Sequence, residues 1–367
     1  MTPRIPENLV VDDSYSVASE WSPAFVPRRG LIGGHLQTIA GNFFPRPAFR
    51  LAALSETVEV DPADGSRVLC HCHWQPENVR AGRLTLLLVH GLEGSSNSGY
   101  IQGITARAWE AGCNIVRMNM RTCGGTEPLT PTLYHSGLSG DVGVVACHYA
   151  EQFGLERMAL VGYSMGGNLV LKLAGEWGSR GPQPAIFAGW GDNRSPLKAV
   201  AAVCPAIDLA PGADALHEPL NRAYEWRFLC SLLARYRRKA KLFPEIYASR
   251  KAIGPVRSIR EFDDKIVARY WGFRDADDYY DRSASARVVD RIAVPTLILH
   301  SQDDPFIRLL PETRAKLLAN PQIHLVETRH GGHCAYLSRD PGNEIHWAEA
   351  TVMRFLLAVT TADTHGS

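Results

Sequence analysis

The sequence has no run of apolar residues that approaches the ~20 needed for a membrane-spanning helix. Its first residues, 1–16, also lack the apolar stretch of a secretory signal peptide. These two absences predict a soluble protein without a transmembrane segment, and we expect it in the cytoplasm.

Charge of one sign is not in excess either. The chain has 39 Lys and Arg residues against 38 Asp and Glu residues, which gives a formal net charge of +1. Proteins that bind nucleic acid through its phosphates present a net basic surface, so nucleic acid is not expected as a partner. Eight cysteines are spread over 367 residues and are expected to be reduced thiols rather than a disulfide framework.

The sequence also lacks two pairs of Cys or His residues at the spacing that is typical of a metal site. His330, His333 and Cys334 are close in sequence, but no second pair of the C-x-x-C or H-x-x-x-H type accompanies them. The run CHCH at 70–73 is interpreted as part of a strand, whose alternate side chains point to opposite faces. We therefore expect neither a metal ion nor an organic cofactor.

What the sequence does contain is an alternation of short apolar strands and amphipathic helices. Apolar runs at 84–89, 158–161 and 296–300 are separated by segments with helical periodicity, and a hairpin pattern at 57–74 precedes them. Strands that are apolar on both faces need a parallel sheet with helices on both sides. The predicted fold class is α/β with a mostly parallel sheet.

Four segments are expected along the chain. Residues 1–50 are rich in proline, glycine and aromatics and are predicted to form an irregular arm. The sheet core is predicted in two parts, 51–204 and 292–359, separated by a mainly helical insertion at 205–291 that covers the sheet as a lid. The basic run at 235–241 is interpreted as a solvated helix face, with contact to anionic lipid as the alternative.

The strongest local pattern is G-x-S-x-G at 162–166, preceded by a strand and followed by a helix. This pattern holds a serine on a sharp strand-to-helix turn, and the glycines Gly162 and Gly166 allow the two elements to approach closely. Ser164 is therefore the predicted nucleophile. The alternative is that Ser164 only caps the helix.

A nucleophilic serine needs a base, and in this arrangement an acid and a histidine follow it at the ends of later strands. Asp303 and Asp304 compete for the acid, and Asp304 is favoured because the proline after it fixes the loop. His330 and His333 compete for the base, and His333 is favoured because a Gly-Gly pair gives its loop freedom to reach Ser164.

Acyl transfer also needs backbone N–H groups that hold the developing oxyanion. One is expected from Met165, at the N-terminus of the helix that follows the nucleophile. The other is expected from Leu92, in a loop where Gly91 permits close backbone approach and His90 supports the chain. The alternative for the His-Gly pair is a simple turn.

Together these motifs resemble the α/β hydrolases, and more narrowly the YheT-type subgroup of bacterial hydrolases, plant embryogenesis-associated proteins and mammalian ABHD-type lipases. The residues that carry the resemblance lie at 34–38 (GHLQT), 89–94 (VHGLEG), 119–125 (NMRTCGG), 162–168 (GYSMGGN), 303–306 (DDPF) and 330–333 (HGGH). The resemblance implies a serine hydrolase with the triad Ser164, Asp304 and His333. It leaves the motif at 34–38 without a role beyond anchoring the arm near the site.

The predicted reaction is hydrolysis of a carboxylic ester, of esterase or lipase type, through an acyl-enzyme on Ser164. Two alternatives stay open: transfer of the same acyl group to an acceptor other than water, and a binding protein that keeps the fold without catalysis. The expected partner is a small-molecule ester or a lipid-like substrate. Acyl-chain length and oligomeric state, a homo-oligomer included, are left open.

Overall fold

The computed structural model describes residues 24–46, 49–178, 195–247, 253–339 and 344–362. Residues 1–23 of the predicted arm therefore lie outside the described residues. Among the helices of the described ranges, none is both long and apolar enough to cross a membrane.

One mostly parallel sheet organises the described chain. Its strands are β1 (Leu54–Asp61), β2 (Ser66–His73), β3 (Thr85–Val89), β4 (Asn114–Met118), β5 (Met158–Tyr163), β6 (Leu197–Val203), β7 (Thr296–Ser301) and β8 (Ile323–Thr328). Their order across the sheet is β1-β2-β4-β3-β5-β6-β7-β8. The strands β1 and β2 form an antiparallel hairpin that joins β4, and the remaining strands run parallel.

Helices cover both faces of this sheet, as predicted. In chain order, the helices of the described residues are α1 (Gly34–Gly41), α2 (Glu77–Arg80), α3 (Gly99–Glu110), α4 (Ser139–Phe153), α5 (Met165–Trp177), α6 (Leu209–Leu216), α7 (Arg222–Leu242), α8 (Ile259–Phe262), α9 (Arg269–Trp271), α10 (Ala276–Ser283), α11 (Pro311–Ala319) and α12 (Trp347–Ala362). A π-helical segment (Asp263–Ala268) joins α8 to α9. Short 3₁₀ turns lie at Glu127–Leu129, Pro219–Asn221, Ser285–Arg287 and Val289–Arg291.

The apolar run of β3 explains why it lies in the middle of the sheet. All five of its residues are buried, and they alternate between two apolar layers, because successive side chains of a strand point to opposite faces. Leu87 and Val89 pack in the layer with α4 and α5. Leu86 and Leu88 pack in the layer with α3 and α12. The α/β fold predicted from such runs is confirmed.

Between β6 and β7 the described chain is helical, from α6 to α10. These helices bury apolar side chains in the same layer as α4 and α5. Side chains of these helices also line a cavity that Ser164 lines, so the helices lie over the end of the sheet that carries residue 164.

The prediction of an irregular arm was wrong for one part of it. Residues Gly34–Gly41 form the helix α1, although the segment begins and ends with glycine and has little apolar periodicity. Gln37 and Thr38 of this helix are buried. The helix is stabilised by these tertiary contacts rather than by its intrinsic propensity, which is weak for so short a helix.

Candidate active site

The turn between β5 and α5 holds Ser164 in a conformation with φ 54° and ψ −118°. A positive φ is strained for a residue with a side chain and persists only where the surroundings impose it. A Cβ on Gly162 would lie 2.2 Å from the carbonyl oxygen of Gly166, and one on Gly166 would lie 2.3 Å from that of Val89. Both glycines predicted from the sequence are therefore required by close backbone packing.

Three side chains from the ends of β5, β7 and β8 form a continuous hydrogen-bonded chain. The Nε2 atom of His333 lies 2.9 Å from Oγ of Ser164, and its Nδ1 atom lies 2.8 Å from Oδ2 of Asp304. Because a carboxylate only accepts, Nδ1 carries the proton, and Nε2 is free to accept the hydroxyl proton of Ser164. The arrangement can therefore remove a proton from the serine.

The carboxylate of Asp304 is buried and fully bonded. Its second oxygen accepts from the backbone N–H groups of Phe306 at 3.1 Å and Ile307 at 3.0 Å. Burial alone would raise the pKa of Asp304, but the facing His333 ring and these hydrogen bonds outweigh burial and hold the pKa below its ordinary value. The group thus stays ionised and can stabilise a protonated imidazole.

The other two candidates, Asp303 and His330, lie next to these hydrogen-bonded side chains but make no hydrogen bond to the His333 ring. Asp303 bonds His330 Nδ1 through Oδ2 at 3.2 Å. Its Oδ1 accepts from the Ser301 hydroxyl at 2.6 Å and from the Gly332 N–H at 2.9 Å. Asp303 therefore fastens the histidine loop to the end of β7, while Asp304 faces His333.

The loop after β3 brings the other predicted residues close to Ser164. A Cβ on Gly91 would lie 3.1 Å from the Cβ of Ser164. His90 is buried, and its Nε2 accepts from the Met120 N–H at 3.1 Å. Its Nδ1 must then be protonated, and it donates to the Gly91 carbonyl at 2.8 Å. Burial lowers the pKa of His90 to about 4, so the ring is a neutral support for the loop.

Two cavities meet at Ser164, and Leu92 lines both. The first contains about 800 Å³ of space that no protein atom occupies, open solvent included. Its wall is mostly apolar, and Met165 belongs to it together with side chains of the helices between β6 and β7. The second cavity is more polar and is lined by His333 and residues of α1, α3 and α7. That Leu92 and Met165 donate N–H groups to an oxyanion stays a prediction.

The fold and this geometry agree with the comparison to known proteins. Residues 86–344 match the model of the alpha/beta hydrolase family. The chain belongs to this family.

Individual relatives extend the similarity beyond the matched segment. The Escherichia coli (strain K12) protein named "Putative esterase YheT" is 32% identical over 349 residues, which cover 92% of this chain and 95% of the relative. "Phospholipase ABHD3" of Mus musculus is 30% identical over 258 residues, 70% of this chain and 59% of the relative. A solved Pyrococcus furiosus esterase shares the fold, with a TM-score of 0.51 at 12% identity, over 85% of this chain and 99% of that one.

A buried ion pair that sequence reasoning missed connects the loop after β3 to α7 of this α/β hydrolase. Arg235 bonds Glu93 through Nε at 3.0 Å and through a terminal nitrogen at 3.1 Å. The hydroxyls of Ser231 and Tyr134 also donate to Glu93. Burial opposes ionisation of Glu93, but its bonds to Arg235 prevail, and its pKa lies below the ordinary value. Glu93 has a positive φ of 55°, a strained conformation that persists only where surrounding contacts such as these hold it.

The same pair corrects the interpretation of the basic run at 235–241 as a solvated face. Arg235 and Lys239 are buried, and Lys239 donates to the backbone carbonyls of Glu127 and Thr130. Only the intervening and following basic residues of the run are exposed. Removing one partner of a buried ion pair typically costs ~3–5 kcal/mol, so the pair of Arg235 with Glu93 helps to fix α7 in place.

One group of potential metal ligands lies in the described ranges. The sulfur atoms of Cys204 and Cys334 and a ring nitrogen of His333 lie within 4.8 Å of one another. The sequence placed His330 in this group, but in the structure His330 faces Asp303, and Cys204 is the third member instead. Burial raises the pKa of the Cys334 thiol well above its ordinary value, and both ring nitrogens of His333 have hydrogen-bond partners. A neutral Cys334 thiol therefore fits this environment.

Proposed function

We propose that this α/β hydrolase is a carboxylic ester hydrolase that works through an acyl-enzyme on Ser164, with Asp304 and His333 completing the triad. The observation that carries the proposal is the unbroken chain of 2.9 Å and 2.8 Å contacts from Ser164 through His333 to Asp304. The names of the relatives, an esterase and a phospholipase among them, support a substrate of the ester or lipid class.

In the proposed reaction, His333 takes the hydroxyl proton as the Ser164 oxygen attacks the ester carbonyl. The backbone N–H groups of Leu92 and Met165 hold the oxyanion. The protonated His333, stabilised by the ionised Asp304, then gives its proton to the leaving alcohol. Water activated by the same imidazole cleaves the acyl-enzyme and regenerates the serine.

The two cavities suggest how the substrate is divided between them. The apolar cavity suits a hydrocarbon chain, because removing apolar surface from water contributes about 25 cal/mol per Å². The more polar cavity suits the alcohol part and the water that follows it.

Covalent labelling tests the proposal directly. The protein is incubated with a fluorophosphonate probe, digested and analysed by mass spectrometry, while hydrolysis of p-nitrophenyl butyrate is followed in parallel. We expect one adduct, on the peptide that contains Ser164, and loss of ester hydrolysis in step with labelling. Hydrolysis that survives complete labelling, or an adduct on another residue, contradicts the proposal.

Chain-length preference provides a prediction about the apolar cavity. Gly212 of α6 lines this cavity, and among the described residues a Cβ there would meet nothing closer than the Phe306 carbonyl oxygen at 3.5 Å. Gly212→Val should therefore fill space without backbone strain. We expect the ratio of kcat/KM for p-nitrophenyl octanoate to that for butyrate to fall about 10-fold, since one or two methylenes are worth about 1–3 kcal/mol in such a pocket.

The matched control is Gly140→Val. Gly140 is also a helical glycine, and a Cβ there would meet no atom of the described residues within 4 Å. It does not line the cavity. Its octanoate-to-butyrate ratio should equal that of the unmodified protein. An unchanged ratio in folded Gly212→Val protein would show that the acyl chain binds elsewhere.

A further inference from the structure

The motif GHLQT at 34–38 takes no part in the proposed reaction, yet it packs directly against the loop that carries His333. A Cβ on Gly332 would lie 2.5 Å from the carbonyl oxygen of Gly34 and 2.8 Å from the Cβ of Gln37. A Cβ on Gly34 would lie 1.6 Å from the carbonyl oxygen of Asp303. The first turn of α1 is therefore wedged between the aspartate loop and the histidine loop, with no room for a side chain at either glycine.

Thr38 makes a direct hydrogen bond to the residue that bears the imidazole. Its Oγ1 accepts from the backbone N–H of His333 at 2.8 Å and donates to the carbonyl oxygen of Gly34 at 2.7 Å. A hydroxyl has one proton, so donation to Gly34 leaves the lone pairs of Thr38 for His333. The hydroxyl orientation is thus fixed, and so is the backbone position that it holds.

Gln37 fastens the far end of the same loop. This side chain is fully buried. Its Oε1 accepts from the Leu337 N–H at 2.8 Å, and its Nε2 donates to the carbonyl oxygens of Leu337 at 3.2 Å and Leu31 at 2.9 Å. Two adjacent residues of α1 therefore hold both ends of the segment from His333 to Leu337.

The backbone of this segment needs external support. Cys334 and Tyr336 have positive φ values of 59° and 42°, conformations that cost on the order of 1–3 kcal/mol each and persist only where the surroundings impose them. On one side, Asp303 holds Gly332. On the other side, α1 supplies the contacts of Thr38 and Gln37.

We propose that Thr38, assisted by Gln37, is a positioning residue that fixes the backbone of His333 so that its ring reaches both Ser164 and Asp304. This inference rests on the proposed function, because it concerns the proposed base. It gives the 34–38 motif a role: α1 completes the catalytic framework from outside the sheet.

The test is Thr38→Val, which keeps the shape of the side chain and removes the hydroxyl. A misplacement of about 1 Å can cost ~100-fold in rate, so we expect kcat for p-nitrophenyl butyrate to fall roughly 10- to 100-fold, with KM within about 2-fold. Labelling by the fluorophosphonate probe should slow by the same factor. Thr38→Ser keeps the hydroxyl and should restore at least half of kcat.

Thr105→Val is the matched control. Thr105 is also a buried helical threonine, and its hydroxyl donates to the carbonyl four residues earlier, Ile101. It should leave kcat unchanged, and the melting temperatures of both variants are measured to compare their structural costs. Should Thr38→Val not purify as a folded protein, Thr38→Ala removes the same oxygen and is measured in the same way.

The outcomes separate this inference from the proposed function. If kcat of folded Thr38→Val equals that of the unmodified protein, or falls no further than in Thr105→Val, the positioning role is overturned while the serine mechanism stands. If fluorophosphonate labels no serine even in the unmodified protein, the proposed function itself fails. A rise in KM alone, with unchanged kcat, also overturns the positioning role.

Discussion

Replacing Ser164 by alanine is expected to lower ester hydrolysis by about 10⁶-fold, the order of loss that removal of the nucleophile causes in a serine protease. Alanine and serine both carry a Cβ atom, so the steric cost of a φ of 54° is about the same for either residue, and the turn should remain. The variant removes the oxygen that is proposed to attack the substrate and leaves the cavities and His333 in place. Initial rates on p-nitrophenyl butyrate and fluorophosphonate labelling measure the loss.

The control is Ser139→Ala, which removes another hydroxyl at the first turn of a helix. Ser139 donates to Glu176 at 2.7 Å and lines neither of the two cavities. We expect its activity to match that of the unmodified protein. Retention of more than a few per cent of activity in Ser164→Ala, with contaminating esterases excluded by labelling, would assign the attack to another group.

The second large effect is expected from Asp304→Asn, with a fall in kcat of ~10⁴-fold. The position of Asp304 gives the reason. One of its oxygens accepts from the N–H groups of Phe306 and Ile307, so the amide oxygen of asparagine takes that place and its NH₂ group faces Nδ1 of His333. The ring then keeps its proton on Nε2, where it can no longer accept from Ser164.

Asp303→Asn is the matched comparison. Asp303 bonds Gly332 and His330 rather than His333, so its replacement should loosen the loop without reversing the tautomer of His333. We expect a loss of less than about 100-fold, by the same misplacement argument. Steady-state kinetics of the two variants decide between the neighbouring acids: a larger loss in Asp303→Asn would exchange their roles.

Local sequence patterns are enough to predict the central strands and the strand-to-helix turn at Ser164. Consecutive apolar residues indicate the burial of β3 on both faces, and two glycines at fixed spacing indicate the turn around Ser164. The choice of Asp304 over Asp303 used only the proline that follows. In the structure Oδ2 of Asp304 lies 2.8 Å from Nδ1 of His333, and the catalytic role of Asp304 stays a prediction. Each of these signals lies within a few residues of the feature that it predicts.

The missed features depend on contacts between distant parts of the chain. Glu93 and Arg235 are separated by 142 residues, and nothing near either one distinguishes a buried ion pair from two solvated charges. The helix α1 is likewise formed by packing against the segment around His333, 295 residues from Thr38. Such pairings need either a structure or a set of homologous sequences.

The origin of the cavity walls has a consequence for how such an enzyme diversifies. The proposed reacting groups stand at the ends of β5, β7 and β8, whereas much of the apolar wall comes from the helices between β6 and β7. Under the proposed mechanism, substitutions in that helical stretch can therefore change which acyl groups are accepted while Ser164, Asp304 and His333 are inherited unchanged. Proteins that descend from one ancestor can then catalyse the same reaction on different substrates.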